Sequence, residues 1–453
     1  MAYKNLREFM EVLEDQGDLI RIKDEVNPSY EVAAYVRKSS DVEGPAILFE
    51  KVQGTNMKVL GGLFGAKRRV LQSLELDEKN LLTNYLKKEG TVIMPRNVDK
   101  APSQEIVLTG NDIDLYSLPQ IIHFEKDAGP YITGGIQIAK SRRTGKRNAG
   151  MYRMLILDKN HLTVYAPPGR HLRIIIEQNL EENEPTDVAT AIGTDPVIPL
   201  ASQTRKAFGY DEIEIAGGLR GAPVEMVGCK TINVDVPATA EIVIEGRTVP
   251  GREAEDGPFG EYPGTYSDVK KTPVVEVTAI TMRKDPIYQF CMTGTPMTEN
   301  HHMMELPLAA LAYEEAYKIC PDVVDVVLTP GGTSRHHAVV SIKKRHDYEP
   351  RNVILALLAA NIGIKYVVVV DHDIDIRNQT DVEWAINTRM QAQDDVLILP
   401  TMYSPTLDPS APMHRSSSKM GIDATAPLGR LDEFSKVKTP GTDTVDLSKY
   451  WSP

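Results

Sequence analysis

A change of period along the chain constrains its fold more than any other feature. Between about residues 105 and 290, short β-prone runs recur at 131–138, 153–157, 162–165, 224–226, 232–234, 241–244, 274–282 and 287–291, separated by Gly- and Pro-rich turns. Many short strands at such intervals predict a barrel or sandwich rather than a doubly wound sheet. A helix over 171–179 and an apolar segment at 188–192 interrupt them. On either side the pattern alternates between helix and strand. Residues 4–16 place Leu6, Phe9, Met10 and Leu13 on one helical face, and Gly17 ends that helix. Strands over 19–22, 46–50 and 57–61 follow. Beyond 295 come helices over 306–318 and 352–361 and strands over 323–328 and 338–343. The run Tyr366-Val367-Val368-Val369-Val370 is that of a strand buried on both faces. The expected class is α+β, in three domains: an α/β domain over 1–104, a β-rich domain over 105–294 and a second α/β domain over 295–453. The tail from Ser404 is either a loop or an arm that docks on a partner subunit.

With 453 residues and 42% hydrophobic composition, the chain can bury two or three cores. Its net charge of −12 argues against a nucleic-acid-binding role, because phosphate contacts need a basic face. An anionic substrate is still compatible, provided the positive charge is local. Cys229, Cys291 and Cys320 are too few and too widely spaced for a disulfide framework or a zinc pattern, so a reducing cytoplasm is expected. No stretch approaches the roughly 20 apolar residues of a membrane span, and no secretion signal opens the chain.

Four clusters carry potential chemistry. Asn148 to Arg153 ends with a guanidinium at the head of an apolar strand, either facing a site or paired at a barrel end. Pro167-Pro168-Gly169-Arg170-His171 places a turn before a helix, where free backbone N–H groups and the helix dipole suit phosphate. Asp211-Glu212-Ile213-Glu214 taken alone is a solvated acidic face. Glu253 to Tyr262 packs four carboxylates around a Gly-Pro-Phe-Gly turn that can bring Asp256 and Glu261 together, and paired carboxylates push each other's pKa apart.

In this order, the clusters resemble the UbiD family of decarboxylases. The likeness extends to Leu6-Arg7-Glu8-Phe9, Leu219-Arg220-Gly221, Glu241 to Gly246, Gly257 to Glu261, Trp384-Ala385, Thr388-Arg389 and Gly421 to Thr425. The resemblance implies a central split β-barrel that binds prenylated FMN, a covalent electron sink for reversible, non-oxidative decarboxylation. By the same resemblance, Asn148, His171 and Glu212 are ligands of Mn2+, or of Mg2+, with K+ as a further ion. An amide oxygen, an imidazole and a carboxylate suit such a cation. Met151, Tyr152, Arg153, Arg170 and Lys343 are implied at the cofactor. Arg153, Asp256 and Glu261 match the catalytic Glu-Arg-Glu trio, with Asp256 or its neighbour Glu255 in the first carboxylate position and Glu261 as acid/base.

The resemblance also implies that the segment 294–304 lines the substrate pocket. Met297, His301 and His302 there suit an aromatic or heteroaromatic acid, although the histidines could equally cap the following helix. The resemblance also implies a small carboxylic acid substrate, a UbiX-type flavin prenyltransferase as cofactor supplier, and a homodimer or homohexamer. The alternatives are an aliphatic phosphorylated unsaturated acid, as in archaeal mevalonate-type members, and an accessory subunit of a multi-subunit carboxylase. A plain flavin reductase is disfavoured, because it needs neither the metal set nor the carboxylate turn.

Overall fold

A computed structural model describes residues 3–360, 362–411, 416–448 and 450. The chain is a mixed α/β protein built on three main sheets. The first helix, Leu6–Asp15, buries the predicted Leu6, Phe9, Met10 and Leu13, and the Asn5 side chain caps it by accepting the Glu8 N–H. It lies over a four-stranded sheet in the order Leu19–Val26, Ala46–Val52, Lys58–Gly61 and Ile287–Gln289. The last strand comes from far along the chain and pairs in parallel, Ile287 opposite Lys58.

The central sheet is antiparallel. Its path runs His161–Thr163, Lys270–Met282, Ile242–Asp256, Asp187–Ile192, Gly135–Lys140 and Arg147–Met151, with Ile106–Thr109 added against Lys270–Met282. The sequence showed only two short runs, 241–244 and 274–282, where the structure has one long hairpin. Gly246, Pro250 and Gly251 disguise its first arm, and the register shifts there between Thr248 and Glu253. The extension carries Asp256 to the strand's end.

In the C-terminal sheet, Val323–Leu328, His337–Ile342, Tyr366–Asp371, Ser416–Ala424 and Val396–Tyr403 lie in that order. Val367 to Val370 are fully buried at its centre, as the β-branched run predicted. The long helix Glu299–Tyr317 starts earlier than expected. The helix predicted over 352–361 spans Glu349–Ala359, and its expected end, Asn361, lies outside the described residues. No helix among the described residues is long and apolar enough to cross a membrane.

Candidate active site

Arg153 follows the strand Arg147–Met151 and turns inward, leaving 7% of its surface exposed. Its Nε donates to Asp256 Oδ1 at 2.9 Å, and Nη2 lies 2.7 Å from the same oxygen. Nη1 donates to Glu261 Oε1 and, at 3.0 Å, to Ser267 Oγ. The guanidinium carbon lies 4.4 Å from the Tyr165 ring centre and 5.1 Å from that of Phe259, so aromatic faces shield the cation. Asp256 is fully buried and also accepts the Thr163 hydroxyl, whereas Glu255, pointing the other way along the strand, is exposed. The carboxylate paired with Arg153 is therefore Asp256.

The turn that presents Glu261 depends on two glycines. Gly257 has φ +100°, and a Cβ there would meet the Asp268 carbonyl oxygen at 2.8 Å; one on Gly260 would meet the Phe124 ring at 2.2 Å. Gly257 N–H donates to the Tyr131 hydroxyl at 2.9 Å, and Gly260 N–H donates to Asp127 Oδ1 at 3.0 Å. Burial raises the Glu261 carboxyl above the usual glutamate range, while Arg153 pulls it down and Asp256 adds to the rise. Burial lowers the Arg153 guanidinium, but the Glu261 and Asp256 charges more than offset this.

A second cluster assembles where the other three segments meet. Asn148 lies on the strand Arg147–Met151, His171 opens the helix His171–Glu181, and Glu212 opens the helix Glu212–Arg220. Asp211 caps this last helix through the Ile213 N–H and pairs with Arg147 at 2.8 Å. Both Asp211 and Glu212 are 7% exposed, so the stretch is not a solvated face. Glu212 Oε1 accepts from Asn148 Nδ2 at 2.9 Å and lies 3.6 Å from His171 Nδ1, while Oε2 accepts the Ala149 N–H. Asn148 Oδ1 is buried with no hydrogen-bond partner among the described residues. An orphaned amide oxygen beside a carboxylate and an imidazole fits a hard divalent cation.

Asn148, His171 and Glu212 border a cavity of about 510 Å3 that also takes in Gly169, Arg170, Arg205 and Lys206. Arg153 and Glu261 border a second cavity of about 180 Å3, walled by Tyr165, Phe259, Tyr262, Tyr403 and Arg335. Tyr152, Arg170 and Arg205 border both, so the two spaces adjoin. Met151 borders the second.

Other expected residues fall elsewhere. Lys343 is exposed past the end of the strand His337–Ile342 and borders neither cavity; Lys206 is the lysine that does. The segment 294–304 faces the second cavity through Asn300 and Met304, one helical turn apart, rather than through Met297, His301 or His302. His301 closes a capping box with Thr298 and lies 2.7 Å, through Nε2, from the Tyr262 carbonyl oxygen. Burial pushes both histidines down to about 4, leaving them neutral. His302 faces a separate small cavity with Lys67 and Glu305, and Met297 packs its sulfur 3.5 Å from Ser334 Oγ. Sequence reasoning missed Arg205, Lys206 and Arg335. The first two form a basic pair after the apolar helix Val197–Ala201, a signal that could have been weighed.

Three domains of the 3-octaprenyl-4-hydroxybenzoate carboxy-lyase family match in order: the N-terminal domain over 10–89, the Rift-related UbiD domain over 96–296 and the C-terminal domain over 301–424. The chain belongs to the UbiD family. Anhydromevalonate phosphate decarboxylases from Methanothermobacter thermautotrophicus and Methanosarcina mazei are 33% and 35% identical to this UbiD chain, over 95% and 96% of it and 99% of each relative. The UbiD-class enzyme HmfF from Pelotomaculum thermopropionicum, solved with FMN, is 38% identical with a TM-score of 0.92, covering 99% of this chain and 100% of its own. An evolved dimeric form of HmfF, solved with prFMN, is 37% identical with a TM-score of 0.89, over 99% and 100% of the two chains. A vanillic acid decarboxylase from Sedimentibacter hydroxybenzoicus is 31% identical with a TM-score of 0.86, over 98% and 97%.

Proposed function

We propose that this UbiD-family carboxy-lyase is a prenylated-FMN-dependent, reversible decarboxylase of an α,β-unsaturated acid that also bears a phosphate. The observation that carries the reaction is a single buried guanidinium shared by Asp256 and Glu261, with Glu261 facing a cavity that adjoins the Asn148–His171–Glu212 cluster. Asn148, His171 and Glu212 would hold Mn2+ or Mg2+, and Arg170, Arg205 and Lys206 beside them would offer positive charge to the anionic end of the cofactor. The cofactor, when bound, supplies the electron sink that loss of CO2 from an sp2 carbon requires. Arg153 orients the departing carboxylate, and Asp256 fixes Arg153. Glu261, its pKa raised by burial, protonates the carbon that carried CO2. The aromatic walls keep water from that proton transfer.

The phosphorylated substrate is supported by the two curated relatives and by the basic lining of the cavity, where Arg170, Arg205 and Arg335 stand beside an Arg153 whose charge Asp256 and Glu261 offset. It replaces the expectation of an aromatic acid drawn from His301 and His302, which turn away from this space. An aromatic or heteroaromatic acid remains the second reading, favoured by the Tyr165, Phe259, Tyr262 and Tyr403 walls and by the likeness to a vanillic acid decarboxylase. Retention of Asn148, Arg153, His171, Glu212 and Glu261 speaks against an accessory subunit. A cytoplasmic, oligomeric enzyme loaded by a UbiX-type prenyltransferase completes the proposal. Protein co-produced with that prenyltransferase should show prenylated flavin absorbance and release CO2 from anhydromevalonate phosphate faster than from vanillate. Ordinary FMN alone with no CO2 release would overturn the reading.

A further inference from the structure

The second cavity has one cation whose charge no other part of the site uses. Of its four arginines, Arg153 is neutralised by Asp256 and Glu261, and Arg170 and Arg205 also border the cluster cavity. Arg335 borders only the second cavity and makes no ion pair among the described residues; its Nε is buried without a hydrogen-bond partner. Its guanidinium carbon stands 5.2 Å from the ring centre of Tyr262, the residue after Glu261. His336 beside it is 2.9 Å, through Nε2, from the Tyr262 hydroxyl; burial pushes this histidine down to about 4, so it adds no charge.

The backbone holds Arg335 there at a cost. Thr333 and Ser334, two adjacent non-glycine residues, both sit in the left-handed region at φ +59° and +52°. Ser334 N–H bonds to the Thr329 carbonyl, the Thr329 hydroxyl accepts the Gly332 N–H, and the Ser334 side chain is fully buried against Met297. A loop strained in this way fixes where the next residue's side chain leaves the backbone. A half-buried arginine lacking an acidic partner is expensive unless an anion arrives to meet it.

We propose that Arg335 binds a second anionic group on the substrate, in the same cavity as the carboxylate that Arg153 and Glu261 act on. This rests on the decarboxylase reading of that cavity and assigns Arg335 as a specificity-determining residue. A phosphate and a second carboxylate share the required chemistry, since each offers oxygens to a guanidinium fork.

Prenylated-FMN holoenzyme and its Arg335→Ala and Arg335→Lys variants would be compared on matched pairs: anhydromevalonate phosphate against the same acid with a free hydroxyl, and muconate against sorbate. The expected result is a rise of roughly 10- to 100-fold in KM for the doubly anionic member in the alanine variant, the size of one lost charge-assisted contact. The singly anionic partner should change less than about threefold, with lysine intermediate and flavin absorbance unaltered. A KM increase confined to muconate would keep the Arg335 assignment and remove phosphate from the proposed function. Equal losses on both members of each pair, or a wild-type enzyme indifferent to the second charge, would overturn the assignment.

Discussion

Asp127 Oδ1 accepts the Gly260 N–H at 3.0 Å, tying the segment between the strands Ile106–Thr109 and Gly135–Lys140 to the turn that presents Glu261. The other oxygen of Asp127 accepts the N–H groups of Phe124 and, more weakly, His123. Burial nevertheless dominates and lifts Asp127 to about 6. Its folded pKa thus lies above the unfolded value near 3.8, so the stability it contributes is present below about 4 and lost as pH rises through about 6. Asp127→Asn keeps an acceptor for Gly260 and cannot ionise. The variant's melting temperature relative to wild type should climb between pH 4 and 6 and then level off; a flat difference would contradict this.

Glu261→Gln should abolish CO2 release by a factor on the order of 10²–10⁴, the usual contribution of a positioned acid, with flavin and metal content unchanged. Glu255→Gln, on the exposed face of the strand Ile242–Asp256, should leave turnover near wild type. Steady-state assays with flavin spectra check both.

Removing Arg153 strands a fully buried Asp256. Arg153→Ala should cost about 3–5 kcal/mol of stability, as breaking one side of a buried pair does. Adding Asp256→Asn should recover part of that loss. Urea midpoints of the two single variants and the double variant form the test cycle.

If Asn148, His171 and Glu212 hold the proposed Mn2+ or Mg2+, His171→Ala and Glu212→Gln should lower the metal retained in elemental analysis, and chelation should lower the wild-type melting temperature. Lys206→Ala should lower flavin content, and Lys343→Ala should not, because only Lys206 borders the cluster cavity.

Sequence made legible the elements whose burial is periodic. The first helix and the Val367–Val370 strand declare their buried faces in their own residues. The acidic stretch Asp211–Glu212 misleads because its partners, Arg147 and Asn148, lie on a distant strand that local pattern does not reveal. The histidines left pocket and cap equally open for a related reason, and His301 takes the cap. Starting the helix at Glu299 rather than near 306 rotates Asn300 and Met304 into the cavity and His301 into the cap, and Pro307 inside the helix hid that start. The proposed roles of Arg153, Asp256 and Glu261 and the cluster order rest on resemblance; the pairing of Arg153 with Asp256 rather than Glu255 needed the hairpin's pleat.

The strand Ile287–Gln289 completes the N-terminal sheet. During synthesis, Lys58–Gly61 must therefore wait with an open edge while the whole central sheet emerges. A fragment ending before residue 287 would expose that edge as a template for aberrant pairing. The first and last strands of this sheet thus commit the N-terminal and central parts to mature together, and chaperone demand should peak in nascent chains of intermediate length.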